Sequence, residues 1–175
     1  MSARSDQDLV RASAAGSREA AGELFERHWD VAWRVGYALT GSRALAEDVA
    51  QDAFQRVFRA LAGFDLSRPF GPWLHRIVVN RALDVMRREQ RLVSRDDADV
   101  PAVDWVEDRL RDADLFAALA RLSPERRAVV VLRYWLDYTQ EEIARMLELP
   151  IGTVSSRLTR ALSVLRSEME KTNVG

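Results

Sequence analysis

The chain has 175 residues, 47 % of them hydrophobic, enough for one or two small cores and too many for wholesale disorder. It has no cysteine, which excludes disulfides and thiolate metal sites, and its net charge of −1 excludes a protein that holds nucleic acid by bulk charge alone. His28 and His75 stand apart without a metal-ligand pattern, no apolar run of about 18 residues offers a membrane span, and the N-terminus lacks a signal-peptide layout, so the expected location is the cytoplasm.

Helical periodicity prevails and no alternating strand pattern stands out, so the expected class is all-α. Residues 8–15 form a first short helix. Ser17 can cap a second, in which Ala21, Leu24, Phe25, His28, Val31, Val35 and Leu39 share one side. Gly41 ends it, and Ser42 can cap a third that runs to about Leu61 with Leu45, Val49, Phe54, Val57, Phe58 and Leu61 inward. A loop with Gly63, Pro69 and Gly71 follows, and a fourth helix opens at Pro72 and runs to about Gln90. Then the pattern fails. Residues 95–114 hold eight acids against three arginines. The expectation is an N-terminal helical domain over 8–91, an exposed acidic linker over 92–112 and a C-terminal helical domain over 113–171. Ser123-Pro124-Glu125 marks a helix start inside the last, with a capping serine, a first-turn proline and an acid.

The C-terminal domain carries the sharpest signal. Thr139 and Glu142 make a capping box, and Ile143, Ala144 and Leu147 form the inner face of a short helix. Leu149-Pro150-Ile151-Gly152 reads as a turn. After it, Val154, Leu158, Ala161, Leu162 and Leu165 make one stripe, while Ser156, Thr159, Arg160 and Ser163 point away, with Ser155 and Arg157 on the flanks. This is the pattern of a helix-turn-helix, whose second helix can enter a DNA major groove. Short hydroxyls allow close approach and Arg can fork onto guanine. A helical hairpin with a solvated face is the plainer alternative.

Two further faces carry a functional reading beside a plain one. In the third helix Asp48, Gln51, Asp52 and Gln55 form a polar stripe with Glu47 beside it. It is either a solvated face or an acidic docking surface for a basic helical partner. In the fourth helix Trp73, Arg76, Asn80, Asp84, Arg87 and Arg91 fall within an arc of about 80°. An aromatic, an amide and arginines on one face suit single-stranded nucleic acid, through stacking and phosphate contact; equally, Trp73 can be a core anchor. The preceding loop, with Phe64, Arg68 and Phe70, can form a pocket for a flipped base or be plugged by its aromatics. No nucleophile with a base, phosphate loop or metal motif emerges, so an enzyme is not expected.

Taken together, ALAEDVAQDAFQRVF, PWLHRIVVNRALDVMRR and LSPERRAVVVLRYWLDYTQEEIARMLELPIGTVSSRLTRAL resemble, in order and spacing, the extracytoplasmic-function (ECF) RNA polymerase sigma factors of the sigma-70 superfamily. The resemblance covers nearly all of residues 8–169. It implies two small helical domains and a sigma factor that binds core RNA polymerase, directs it to promoters and promotes melting. No metal, cofactor or catalytic residue is implied. Glu47, Asp48, Gln51, Asp52 and Gln55 would meet the clamp of the polymerase largest subunit, with the flap a further contact. Phe64, Arg68, Phe70, Trp73, Arg76, Asn80 and Arg87 would serve the −10 element, including an extruded base of single-stranded DNA. Arg133, Thr153, Ser155, Ser156, Arg157, Thr159 and Arg160 would face the duplex −35 element. Ser155 departs from the basic residue common at its position, so no promoter sequence carries over. An anti-sigma factor is a further partner the resemblance allows. The acidic linker is expected to weaken DNA binding by the free protein. A stand-alone helix-turn-helix regulator remains the alternative; it would need only duplex contacts.

Overall fold

The computed structural model describes residues 4–93 and 110–172, and every regular element among them is helical. Residues 94–109, most of the expected linker with Asp96, Asp97, Asp99 and Asp104, lie outside the described residues. The first domain comprises α1 (Asp6–Ala14), α2 (Arg18–Thr40), α3 (Arg43–Ala60), a short 3-10 turn (Leu61–Gly63) and α4 (Phe70–Val93). The second comprises α5 (Leu110–Ala120), α6 (Pro124–Val130), a wide π-type turn (Val131–Trp135), α7 (Gln140–Leu147) and α8 (Ile151–Thr172).

The helices start where polar side chains satisfy free N–H groups. Ser5, Ser17, Ser42 and Thr139 each accept from the backbone N–H three residues on, at 3.2 to 3.4 Å. Each such cap stabilises its helix by about 1 kcal/mol. At Thr139 the box is reciprocal: Glu142 accepts from the Thr139 N–H at 2.8 Å. Ser123 behaves otherwise than expected. Its hydroxyl makes no cap bond; only its carbonyl enters the first turn, accepting from Arg127 N at 2.9 Å. Gly41, in the left-handed region at φ 69°, closes α2 and donates to Tyr37 O at 2.8 Å.

Three helices, α2, α3 and α4, pack on one another around Leu24, Val35, Leu39, Val49, Val57, Leu74 and Val78, all fully buried. Each buried leucine or valine contributes about 1.5–3 kcal/mol relative to exposure. Buried Gly36 lets α2 and α3 close up: a Cβ there would meet the Ala46 carbonyl oxygen at 3.2 Å. The buried stripe of α2 is rotated from the expected one. Ala20, Ala32 and Ala38 are inside, while Val31 is 36 % exposed. Alanines were the cheaper fit at a close helix crossing, and apolarity alone did not reveal them. Leu162 is likewise exposed on α8, beside buried Ala161. Helix ends also moved outward. α4 begins at Phe70, since the first N–H groups of a helix need no partner and Pro72 is tolerated beyond the first position. α4 and α5 both extend into the expected linker, because a nucleated helix continues without an apolar stripe.

The two domains touch. α4 packs against α6 and α7, and α2 against α6 and the π turn. Arg127 of α6 is only 7 % exposed and faces carbonyls, donating to Leu39 O, to Ala120 O at 3.0 Å and to Leu122 O at 3.2 Å. Burial brings its guanidinium down to about 10, so it remains charged at neutral pH. Nearby, His75 Nδ1 of α4 lies 2.7 Å from the hydroxyl of Tyr138.

Burial, with His28 adding like-charge repulsion, holds the His75 imidazole down at about 4. An unfolded chain would protonate it near 6.5. Between these values only the unfolded state binds the proton, so the His75 contribution to stability is present above pH 6.5 and lost as pH falls towards 4. Denaturant midpoints measured at pH 7 and pH 5 should therefore fall more for wild type than for His75→Gln. Equal declines in the two proteins would show that His75 is not held neutral by the fold.

Candidate nucleic-acid interfaces

The helix-turn-helix presents the expected outer face. Val154, Leu158, Ala161 and Leu165 are buried, whereas Ser155, Ser156, Thr159 and Arg160 are exposed and Thr153 and Arg157 are half-buried. Ser156 Oγ donates to Thr153 O at 3.1 Å and Thr159 Oγ1 to Ser155 O at 3.0 Å. Parked on their own helix, these hydroxyls keep lone pairs free to accept. Arg160 makes no ion pair among the described residues and is free to reach outward. The turn before α8 runs through Glu148, which takes the left-handed conformation at φ 55° and donates its N–H to Ala144 O. Arg133 is half-buried. Its guanidinium lies 5.6 Å from the Tyr134 ring and 3.5 Å from Tyr138 O, under the start of α7.

On α4 the expected face is assembled, with one correction. Phe70 is 2 % exposed, packed between His28 at 5.0 Å, Trp73 at 5.9 Å and Phe64 at 6.2 Å between ring centroids. It is the plug beneath the loop and offers no surface to DNA here, because the loop needs an apolar anchor to sit on the core. Phe64 and Trp73 lie 4.4 Å apart above it and are half-buried, so Trp73 packs against the core without being fully enclosed. Asn80 is exposed two turns further along the same helical face. Asp65 shapes the loop tip, accepting from Ser67 N at 2.9 Å and Ser67 Oγ at 2.7 Å, with exposed Arg68 3.5 Å away.

The arginines of α4 are not idle. Arg76 pairs with Glu148 of the helix-turn-helix turn, and Arg87 with Glu125 of α6 at 3.0 Å. Glu125 sits between the two DNA-type faces. Burial pushes its carboxyl up, but its own backbone N–H and Arg87, with Arg157 behind, bring it below the usual range. Across the joint, burial and nearby Glu142 push the Tyr138 hydroxyl up to about 12, so it faces His75 as a neutral group. Glu125, Glu148 and Tyr138 were not expected at this face. No local pattern marks a carboxylate that meets an arginine 38 or 72 residues away.

The stripe on α3 is mostly as expected. Glu47, Asp48, Gln51 and Gln55 are exposed, with Gln51 donating to Glu47 at 3.2 Å. Asp52 differs. It is half-buried, 2.5 Å from Arg81 Nε of α4 and 3.8 Å from Arg56. The approach to Arg81 is close but poorly aligned, and the buried Arg81 Nε has no hydrogen-bond acceptor. Asp52 thus ties α3 to α4.

These features define an all-helical factor that couples a helix-turn-helix with an exposed hydroxyl-and-arginine face to a second module with a basic, aromatic face. Residues 24–92 match the sigma-70 region 2 family and residues 113–165 the sigma-70 region 4 family. The chain is 40 % identical over 159 residues to the ECF RNA polymerase sigma factor SigE of Mycolicibacterium smegmatis, covering 85 % of this chain and 61 % of that protein. It is 35 % identical over 173 residues to the ECF sigma factor SigM of Mycobacterium tuberculosis, covering 98 % of this chain and 88 % of that one. The structure of CnrH in complex with the cytosolic domain of CnrY superposes with a TM-score of 0.71 at 28 % identity, over 95 % of this chain and 97 % of that chain. RpoE, solved with the anti-sigma factor NepR from Bartonella quintana, shares the fold with a TM-score of 0.68 at 24 % identity, over 85 % of this chain and 96 % of that one. This chain belongs to the ECF RNA polymerase sigma factors.

Glu125 and Glu148 engage the guanidinium groups of Arg87 and Arg76, which would have to be released for either to meet a phosphate. Exposed pairs of this kind are each worth about 0.2–1 kcal/mol. Glu125→Gln with Glu148→Gln should tighten binding of single-stranded DNA by the free protein, about three- to tenfold at low salt. Unchanged affinity would mean that the two pairs do not compete with DNA.

Proposed function

We propose that this sigma factor acts through three separate faces, working in the cytoplasm and making no bonds itself. The exposed stripe Glu47, Asp48, Gln51 and Gln55, with Asp52 at its edge, docks on the clamp of the polymerase largest subunit, and the second domain meets the flap. The face of Phe64, Trp73, Arg76, Asn80 and Arg87, with Arg68 at the loop, captures the unpaired −10 strand. The face of Thr153, Ser155, Ser156, Arg157, Thr159 and Arg160, flanked by Arg133, reads the −35 duplex. An anti-sigma factor, the kind of protein with which RpoE was solved, belongs to the same reading.

The observation that carries it is the coexistence in one chain of two unlike faces. Exposed Asn80 beside the half-buried Phe64–Trp73 pair suits an unstacked base, and the hydroxyl-and-arginine face of α8 suits a groove. A regulator that only binds duplex needs the second and not the first.

Polymerase docking is tested on α3. Asp52 is a poor position for the test, since losing it also breaks the tie to Arg81. Asp48→Arg with Gln51→Arg reverses the stripe at exposed positions instead. The folded double variant should no longer co-purify with core polymerase, with an unchanged melting midpoint. Retained binding would remove the docking assignment.

The −35 reading is tested at Arg160. If its guanidinium forks onto a guanine, Arg160→Ala costs about 1–3 kcal/mol and relaxes selectivity at one base pair. If it meets only phosphate, binding weakens uniformly and the salt slope falls by about one unit. The base contact is the expected result, because Arg160 lies on the outward arc and Arg157 on the flank. Selection of randomised −35 sequences by wild-type and variant holoenzyme checks it; identical preferences in the two pools would refute the specificity role.

A further inference from the structure

The loop over residues 64–70 is shaped at its tip by the Asp65–Ser67 bonds, but these are local and do not fix where the loop sits. Phe64, Leu66 and Phe70 pack it against the core, and a side chain from the first helix adds a polar bond. Gln7 Nε2 of α1 donates to the Leu66 carbonyl at 3.0 Å, across 59 residues of sequence. Gln7 is exposed, so it is not there to fill the core. Its neighbour Asp6 lies 2.8 Å from His28 Nε2 and 2.7 Å from Arg27 Nη1. The His28 ring in turn packs on Phe70, the plug beneath Phe64 and Trp73. Leu9 and Val10, at 0 % and 1 % exposure, fasten the other side of α1 to the core. α1 therefore grips the loop from above through Gln7 and backs it from below through Asp6 and His28. All of α1 lies before residue 24, where the match to sigma-70 region 2 begins.

We propose that α1 is the strut that aims the 64–70 loop for capture of the extruded base, with Gln7 as the positioning residue and the Asp6–His28 pair as its support. The inference rests on reading the loop and Asn80 as the −10 pocket, and adds the part that holds that pocket still. The physical reason is entropic. Apolar packing seats the loop, but any part of its backbone held less firmly must still be ordered when the base arrives, and that ordering is subtracted from the binding free energy. A side-chain bond from a packed helix orders it beforehand.

The test uses reconstituted holoenzyme with Gln7→Ala and Gln7→Glu. The glutamate matches the glutamine in length but, when ionised, has no proton to donate to Leu66 O. Opening is followed by the fluorescence of 2-aminopurine in the −10 strand, on a duplex promoter and on one with a pre-melted bubble. Both variants should open the duplex on the order of three- to tenfold more slowly, the scale of one net hydrogen bond. They should match wild type on the bubble, in melting midpoint and in core polymerase affinity. Asn80→Ala, run in parallel, gauges the pocket itself. If Asn80→Ala shows no duplex-specific defect, the pocket reading fails and this proposal falls with it. If Asn80→Ala is defective and Gln7→Glu opens duplex at the wild-type rate, the proposal alone is overturned. A Gln7 defect of equal size on both templates, or one accompanied by a lower midpoint, also overturns it by showing that α1 merely stabilises the domain.

Discussion

The joint between the two domains depends on one buried guanidinium. Arg127 has no carboxylate partner among the described residues; it is held by carbonyls alone. Those carbonyls are helix ends. Leu39 lies in the last turn of α2, and Ala120 is the last residue of α5. Neither helix has a basic residue of its own in its last turn. A helix C-terminus carries unpaired carbonyls and the negative end of the macrodipole. Arg127 supplies one cation, with several donors, to two such ends from different domains. Removing it would leave buried acceptors unmet, at about 1–3 kcal/mol each. The bond to Leu39 crosses the joint, whereas those to Ala120 and Leu122 lie within the second domain, so docking gives the guanidinium one further acceptor.

Around that anchor several contacts are polar and exchangeable. Arg76–Glu148 and Arg87–Glu125 are half-exposed pairs, and His75–Tyr138 is a neutral contact. The same arginines are those assigned to the −10 strand. A phosphate and a carboxylate are similar acceptors for an arginine fork, so under that proposal the second domain and DNA would compete for the same guanidinium groups. The strained backbone of Glu148 adds to this picture. A non-glycine residue in the left-handed region costs on the order of 1 kcal/mol, and here it bears a carboxylate that a glycine could not supply.

Much of this was legible in the sequence because its causes are local. The caps at Ser17, Ser42 and Thr139, the Gly41 stop, the helix-turn-helix stripe and the exposed α3 stripe all follow from residues within a few positions of each other. What was missed depends on distance or on fit. Arg127 looks like one charge ahead of an apolar run, and nothing near it announces that Leu39 waits 88 residues away. Asp52 was placed in the docking stripe by helical arithmetic, which cannot show that Arg81 stands opposite. Phe70 was read as either a wall of a DNA pocket or a hydrophobic plug from its place in an aromatic loop; packing decides for the plug. Val31 and Leu162 were placed inward because hydrophobicity does not distinguish a leucine from the small alanines that a tight helix crossing prefers.

The aromatic side chains at the joint form a chain of their own. Trp33 stacks on Tyr37 at 5.2 Å, Tyr37 meets Phe116 edge-on at 5.5 Å, and Phe116 lies 5.9 Å from Trp135. The first two rings belong to one domain and the last two to the other, with an indole at each end. Separation of the domains breaks this chain in the middle and changes the solvent and ring neighbours of the groups that border the gap. The rings whose surroundings change when the halves part are therefore Tyr37 and Phe116, while each indole keeps its own ring partner.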